Sequence, residues 1–366
     1  MLDSWSHLMS PSERSTIKQV AERAGVSTST VSRVLNDFPY VRPAVRQAVL
    51  NAMQALSYRT DSVARSLRTR RTMAVGMLVG DINNPVLAGI LRSASDVLTR
   101  SGYFVVIAQQ GNSGESEGNL LRLLLSRQID GLMWSLVNED DPEVRSRITA
   151  PHIPIVLVDR YLSGVGADCV VADHFGGALS ALQSLLDCGH ERIAILTGPL
   201  TQWPGKERLR AYRTALKRAG IKIDRNLIAT TNADVVAGYQ ATLNFLQMVP
   251  RPTALVAGGN RVSVGALRAL ADAHVSVPSQ LSFVAGSAPE LAEVMSPALS
   301  RISLPLEAMG NQMATCLLER LEGRVQGPGR FLKLRTEYTL ASSVQGVGAK
   351  RTRSGTRAAQ STTSSP

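Results

Sequence analysis

A chain of 366 residues exceeds one average domain and has room for two or three. At 44% hydrophobic and 19% charged it can bury a sizeable core, and at 4% aromatic that core must be mostly aliphatic. The net charge of +11 lies at the ends: residues 1–72 carry +6, residues 346–366 carry +4, and residues 73–345 only +1. Basic ends on a near-neutral body attract a polyanion such as nucleic acid, with a solubilising surface as the alternative on charge alone. No run of 18 apolar residues occurs, so no membrane span is expected. Cys169, Cys188 and Cys316 are far apart and lack CxxC spacing, which fits reduced thiols in a cytoplasmic protein. The five histidines, at positions 7, 152, 174, 190 and 274, are dispersed and suggest no metal cluster.

Residues 1–15 have no apolar signal core and read as a disordered leader. Thr16 can cap a first helix over 17–24, where Ile17, Val20, Ala21 and Ala24 fall at helical spacing. Gly25-Val26-Ser27 breaks it. A second helix follows over 28–36 with Val31, Val34 and Leu35 as its buried stripe, and Pro43 opens a third that runs to about 56. Residues 16–58 thus form a unit the size of a small DNA-binding domain. Residues 59–72 are polar and basic and read as a linker with weak helical character. From Met73 onward short aliphatic runs, at 74–79, 104–108, 131–134, 153–158, 193–196, 254–257 and 281–285, alternate with amphipathic stretches. The stretches lie near 86–100, 116–128, 175–188, 206–219, 235–248 and 261–273, with a late helix over about 306–321 and a final strand near 331–340. That alternation predicts a doubly wound α/β core over 73–345, with too many strands for one small sheet and hence two subdomains. Residues 346–366 are rich in Gly, Ser, Thr and Arg, carry no heptad zipper, and read as a disordered basic tail.

The string TIKQVAERAGVSTSTVSRVLN, residues 16–36, carries the sharpest signal. A helix-turn-helix needs two short helices at a steep angle, and Ala21, Ala24 and Gly25 allow the close approach. The second helix then offers Thr28, Ser29, Thr30 and the long Arg33 to the major groove. An arginine can bond two acceptors of one guanine, worth about 1–3 kcal/mol of discrimination. A plain helical hairpin with exposed hydroxyls is the alternative. The stretch resembles the head of the LacI (lactose-repressor) family, including a third helix that ends in a pair such as Ser57-Tyr58. The resemblance implies that Thr28, Ser29 and Arg33 read bases, and that Thr30, Ser32 and Asn36 contact phosphate or brace the helix. Thr16, at the head of the first helix, joins the DNA-binding set. Residues 62–68, SVARSLR, resemble the family's hinge helix. The resemblance implies a homodimer on a near-palindromic operator, with paired hinges carrying Ala64 and Leu67 into the minor groove. Leu67 would wedge into a central CpG step, where unstacking costs roughly a few kcal/mol. Thr60 departs from the proline usual there, which leaves the start of the hinge open.

The rest of the chain is similar to the family's core, which has the periplasmic-binding-protein fold. Landmarks are Asp81-Ile82-Asn83-Asn84-Pro85, Leu157-Val158-Asp159-Arg160, Gly189-His190-Glu191-Arg192, Gly198-Pro199 and the segment 305–310. The resemblance implies a small-molecule effector held between the subdomains by Asn84, Asp159, Arg160, Asp173, Arg208, Asn260 and Ser287. Sugar-binding members usually carry Asn-Asp where this chain has Gly259-Asn260, and often Asp where it has Ser287. With those acidic hydroxyl acceptors missing, the expected effector is anionic or otherwise unlike a neutral hexose, such as a sugar acid or sugar phosphate. Other classes fare worse. The chain has no GxSxG, HExxH, GxGxxG or P-loop, so neither an enzyme nor a cofactor is expected. A transport-type binding protein would suit the core but not the head. A regulator that has lost ligand control stays open.

Overall fold

The computed structural model describes residues 15–35, 38–58, 71–110, 117–149, 152–287 and 294–348. After Thr72 the chain divides into two compact units. In the first, α1 (Ile17–Ala24) starts where Thr16 accepts from Gln19 N and Gln19 answers with its side chain, a capping box. It stops at Gly25, whose φ of 67° a side chain would resist. In α2 (Thr28–Leu35) the first turn is capped by Ser27 Oγ, which accepts from Thr30 N at 3.2 Å. Pro43 opens α3 (Pro43–Ala55), since its missing N–H is an orphan at a helix start anyway. Val20, Ala21, Val31, Val34, Val49 and Ala52 make the small core, wholly aliphatic. Ser15 Oγ donates to Leu56 O at 2.6 Å and ties the start of this unit to its end.

The second unit holds two six-stranded sheets. The first sheet has the order β11-β5-β4-β3-β1-β2, all parallel, built from β1 (Ala74–Val79), β2 (Phe104–Gln109), β3 (Gly131–Trp134), β4 (Ile155–Val158), β5 (Asp168–Ala172) and β11 (Phe331–Leu334). Its helices are α4 (Pro85–Arg100), α5 (Glu117–Ser126), α6 (Pro142–Thr149) and α11 (Leu306–Leu321). The second sheet has the order β12-β10-β9-β8-β6-β7, built from β6 (Ile193–Thr197), β7 (Ile228–Thr230), β8 (Ala254–Ala257), β9 (Ser282–Gly286), β10 (Ser300–Ser303) and β12 (Glu337–Thr339). Only β12 runs antiparallel in it, against β10. Its helices are α7 (His174–Asp187), α8 (Trp203–Arg218), α9 (Val235–Leu246) and α10 (Asn260–Asp272). Every residue of β1, β3, β4, β5, β6, β8 and β9 is buried, as helices on both faces of a parallel sheet require. This is the expected helix-turn-helix head with a periplasmic-binding-protein-like core of two doubly wound subdomains.

The chain passes between the subdomains three times: at Asp173, at Leu304–Pro305 and at Arg335–Thr336. The first and third passages are stitched together, with Asp173 N donating to Leu334 O at 2.7 Å and Thr336 Oγ1 to Asp173 O at 2.8 Å. The third passage splits the single strand expected near 331–340 into β11 and β12, one in each sheet. Among the described strands and α-helices, four were not expected from sequence. In β10 the sequence SRIS offers one large apolar side chain, β7 is a three-residue edge, and α6 buries only Val144 and Ile148. β5 opens with Asp168, which is fully buried because Arg320 on α11 and Arg330 beside β11 grip its two oxygens at 2.6 and 2.8 Å. No local pattern announces a partner more than 150 residues away. Packing continues to Val347, whose N–H donates to Cys188 O at 2.9 Å. Among the described residues no helix is long and apolar enough to cross a membrane.

Candidate functional site

Thr28, Ser29 and Arg33 are exposed on α2, while Thr30 and Ser32 are half-buried. Ser29 and Arg33 are four residues apart and so share one helix face. Ser27 Oγ bonds Ser29 Oγ at 2.7 Å and Thr30 Oγ1 at 2.9 Å, which gathers hydroxyls at a helix N-terminus, where anions are favoured. Thr16 is exposed with its hydroxyl committed to Gln19. Asn36, Ala64 and Leu67 lie outside the described residues. Beside α2, Arg33, Arg42, Phe38 and Tyr40 line part of a hollow of about 440 Å³, and Tyr40 is 92% exposed. These two aromatics are not in the expected DNA-binding set, although Phe38-Pro39-Tyr40 stands out as an apolar turn in a polar unit.

In the core, loops at the C-terminal ends of strands from both sheets meet around a cavity of about 250 Å³. That is where ligands of open parallel sheets sit. The first subdomain contributes Asp81, Asn84 and Arg160, and the second Gln202, Asn232 and Arg261. Of the residues expected to hold an effector, this cavity brings together Asn84 and Arg160; Asp159, Asp173, Arg208, Asn260 and Ser287 do not line it. Asn84 also caps α4, accepting from Val86 N at 3.1 Å. Arg160 donates to Leu136 O at 2.5 Å, Asp159 O at 2.8 Å and Gln202 Oε1 at 3.0 Å.

Asp159 and the half-buried Arg208 meet through the buried His174. Asp159 has the left-handed φ of 52°, tolerable for Asp, and its carboxylate accepts from Ala172 N at 3.1 Å and from His174 Nε2 at 2.9 Å. Arg208, a donor only, bonds His174 Nδ1 at 3.1 Å. That bond assigns the proton to Nε2 and makes the imidazole neutral. Burial pushes the His174 pKa down, against the pull of Asp159 and with Arg208 adding to the effect. Burial also lowers Arg208, to about 10. Asp173 caps α7 through Gly176 N at 3.1 Å and faces Lys333 at 3.3 Å. Asn260 is the half-buried first residue of α10, and Ser287 is buried with its N–H donating to Ile302 O at 2.7 Å.

A second set of cleft residues lies outside those expected to hold an effector. Gln202 Nε2 donates to Val137 O at 2.9 Å and Trp203 N to Glu139 Oε1 at 2.6 Å. Lys206 reaches Glu139 at 3.5 Å and Asp140 at 3.3 Å. The Trp203 ring lies edge-on to Tyr161 at 5.1 Å and Phe331 at 5.8 Å. One short segment of the second subdomain therefore clasps the first. Behind it Glu117, buried, accepts from Gln110 at 2.9 Å, Trp134 Nε1 at 2.8 Å and Val137 N at 3.2 Å, and so orders the cleft loop. Burial raises the pKa of both Glu117 and Glu139. Trp134, which closes the aliphatic run of β3, was the one available signal beside this set. Among the described residues no His, Cys, Asp and Glu group is placed to hold a metal ion, and the three cysteines are free thiols.

The profile of the bacterial regulatory proteins of the lacI family matches residues 16–61, and that of the periplasmic binding protein-like domain matches residues 182–344. The ribose operon repressor of Haemophilus influenzae is 31% identical over 307 residues, 84% of this chain and 92% of the relative. The transcriptional regulator CelR of Thermobifida fusca is 33% identical over 327 residues, 87% of this chain and 95% of that one. Among solved structures, a CelR–cellobiose complex aligns over 90% of this chain and all of its own, with a TM-score of 0.69 and 31% identity. The lac repressor dimer bound to operator aligns over 91% of this chain and all of its own, with a TM-score of 0.80 at 23% identity, a likeness of fold. With the helix-turn-helix head, the two-sheet core and these relatives in place, the chain belongs to the lacI family of bacterial regulatory proteins and is a DNA-binding transcriptional regulator, not an enzyme.

Proposed function

We propose that this protein represses transcription in the cytoplasm as a homodimer on a near-palindromic operator, and that a small polar effector in the cleft sets its hold on DNA. The observation that carries this reading is the 250 Å³ cavity whose wall is shared by two subdomains, in a chain that also presents an exposed reading helix. A ligand there changes subdomain closure, and a coupling of about 1–3 kcal/mol is enough to switch occupancy usefully. Relatives named for ribose and a neighbour holding cellobiose favour an effector of sugar or sugar-acid size. In this reading Thr28, Ser29 and Arg33 meet base edges, while Thr16, Thr30, Ser32 and Asn36 meet phosphate or brace the helix. Ala64 and Leu67 enter the minor groove at a central CpG. Asn84 and Arg160 touch the effector, while Asp159, Asp173, Arg208, Asn260 and Ser287, which do not line the cavity, come to it only when subdomain closure reshapes the cleft.

The dimer has its own support. Strand β2 is a sheet edge on which Phe104, Val106 and Ile107 are 56%, 37% and 40% exposed. Ile107 also lines an apolar hollow of about 170 Å³ with Ile82 and Leu91. An exposed apolar strip of this kind suits a second copy of the same chain. Selection of binding sites from a random duplex library at fixed salt tests the whole reading. Enrichment of palindromes with a CG centre is expected; enrichment of unrelated or asymmetric sequences would contradict it.

A further inference from the structure

Of the two arginines that line the cavity, Arg261, the second residue of α10, was not among the residues expected to hold an effector. It lines the 250 Å³ cavity opposite Asp81. Its Nε is buried without a hydrogen bond, 3.5 Å from Asp81 Oδ2. That separation is too long for a good hydrogen bond. Asp81 is better held, because its Oδ1 accepts from Asn83 N at 2.9 Å and Asn83 Nδ2 at 3.2 Å on its own loop. Arg160, the other cation lining the cavity, already donates through Nε and both terminal nitrogens to protein acceptors. The charged lining is therefore two arginines against one carboxylate, and the remaining polar groups are neutral, Asn84, Asn138 and Asn232 among them.

We propose that the effector carries a carboxylate or phosphate and that Arg261 takes it, exchanging its long contact with Asp81 for paired charge-assisted hydrogen bonds. A planar guanidinium fork matches two oxygens of either anion. A neutral sugar offers only hydroxyls and leaves Arg261 uncompensated once Asp81 is displaced. The exchange also has a mechanical side. Asp81 follows β1 in the first subdomain and Arg261 opens α10 in the second, so an arriving anion replaces a direct link between subdomains with one through itself. The inference rests on the effector occupying this cleft.

The test is calorimetric titration of the full chain with D-gluconate, D-ribose 5-phosphate and D-ribose, together with operator affinity in the presence of each. At least one anion should bind tenfold or more tightly than ribose. Arg261→Gln should weaken that anion tenfold or more, Arg261→Lys should weaken it less, and Asp81→Asn should strengthen it severalfold by removing the competing carboxylate. Melting curves identify a variant that fails to fold, and the Lys and Asn variants then carry the test. Binding of gluconate alone marks a carboxylate ligand, and of the sugar phosphate alone a phosphate ligand. Ribose binding with both anions silent, silence of all three, or anion binding indifferent to Arg261 would overturn the proposal. If ribose binds and also shifts operator affinity, the anion idea falls while the cleft reading stands; if a bound ligand leaves operator affinity unmoved, the cleft reading falls.

Discussion

Arg33 on α2 and Arg208 on α8 are both helical arginines that the sequence marks for contact, yet their surroundings are opposite. Arg33 is exposed on a three-helix unit whose core is six small aliphatic side chains. Arg208 is bonded to His174, which is bonded to Asp159, across the two subdomains of the core. The head thus offers its polar groups to a partner from outside, whereas the core spends most of its polar groups on itself. An exposed group needs only local sequence to place it. A committed one needs partners that arrive from distant parts of the chain.

Four changes probe that contrast, from the largest expected effect down. Asp168→Asn removes the carboxylate shared by Arg320 and Arg330, and breaking such a buried pair costs about 3–5 kcal/mol, toward the lower end here because Arg330 keeps 32% of its side chain exposed. Urea unfolding should show the loss. Burial pushes the Asp168 carboxyl up, but the bonds from both arginines outweigh it and hold its pKa at about 2. Its folded value is thus below the unfolded one, so its contribution is full above about pH 4 and fades as pH falls toward 2. The difference between wild type and variant should shrink over that window and stay constant above it.

Arg33→Ala should leave the unfolding midpoint within about 0.5 kcal/mol of wild type, as an exposed change away from packing does. It should cost about 1–3 kcal/mol in specific DNA affinity, read by fluorescence anisotropy on a selected operator. An equal loss on operator and random DNA would place Arg33 on phosphate instead. Trp203→Ala removes edge-on contacts to Tyr161 and Phe331, each worth about 0.5–1.5 kcal/mol beyond burial. Small-angle scattering should then report a more open core, and an unchanged profile would show that the clasp does not govern closure. Thr16→Ala breaks the capping box of α1 and should lower head stability by about 1 kcal/mol, seen in thermal melting.

Legibility follows the same contrast. The head was readable because a capping threonine, a left-handed glycine and a stripe of valines all lie within about two dozen residues of one another. The aliphatic strands of the core were readable because burial on both faces leaves an uninterrupted apolar run. β5 was not, because its leading aspartate is buried only by virtue of Arg320 and Arg330. β10 was not, because Ser300 in it is buried by its neighbours rather than by its own chemistry. In the cleft, Asn84 and Arg160 were found through resemblance, while Gln202, Glu139, Trp203 and Arg261 were not. Their roles depend on which subdomain faces them, and no local spacing encodes that.

The most direct test of the account is a parallel site selection with wild type and Arg33→Ala from one random duplex pool at about 0.15 M salt, a strength at which non-specific attraction by basic segments is largely screened. The account predicts palindromic sites for the wild type, and in the variant the same palindrome with its preference relaxed at one symmetric pair of positions. No enriched sequence in the wild type, or identical preferences in both proteins, would contradict it.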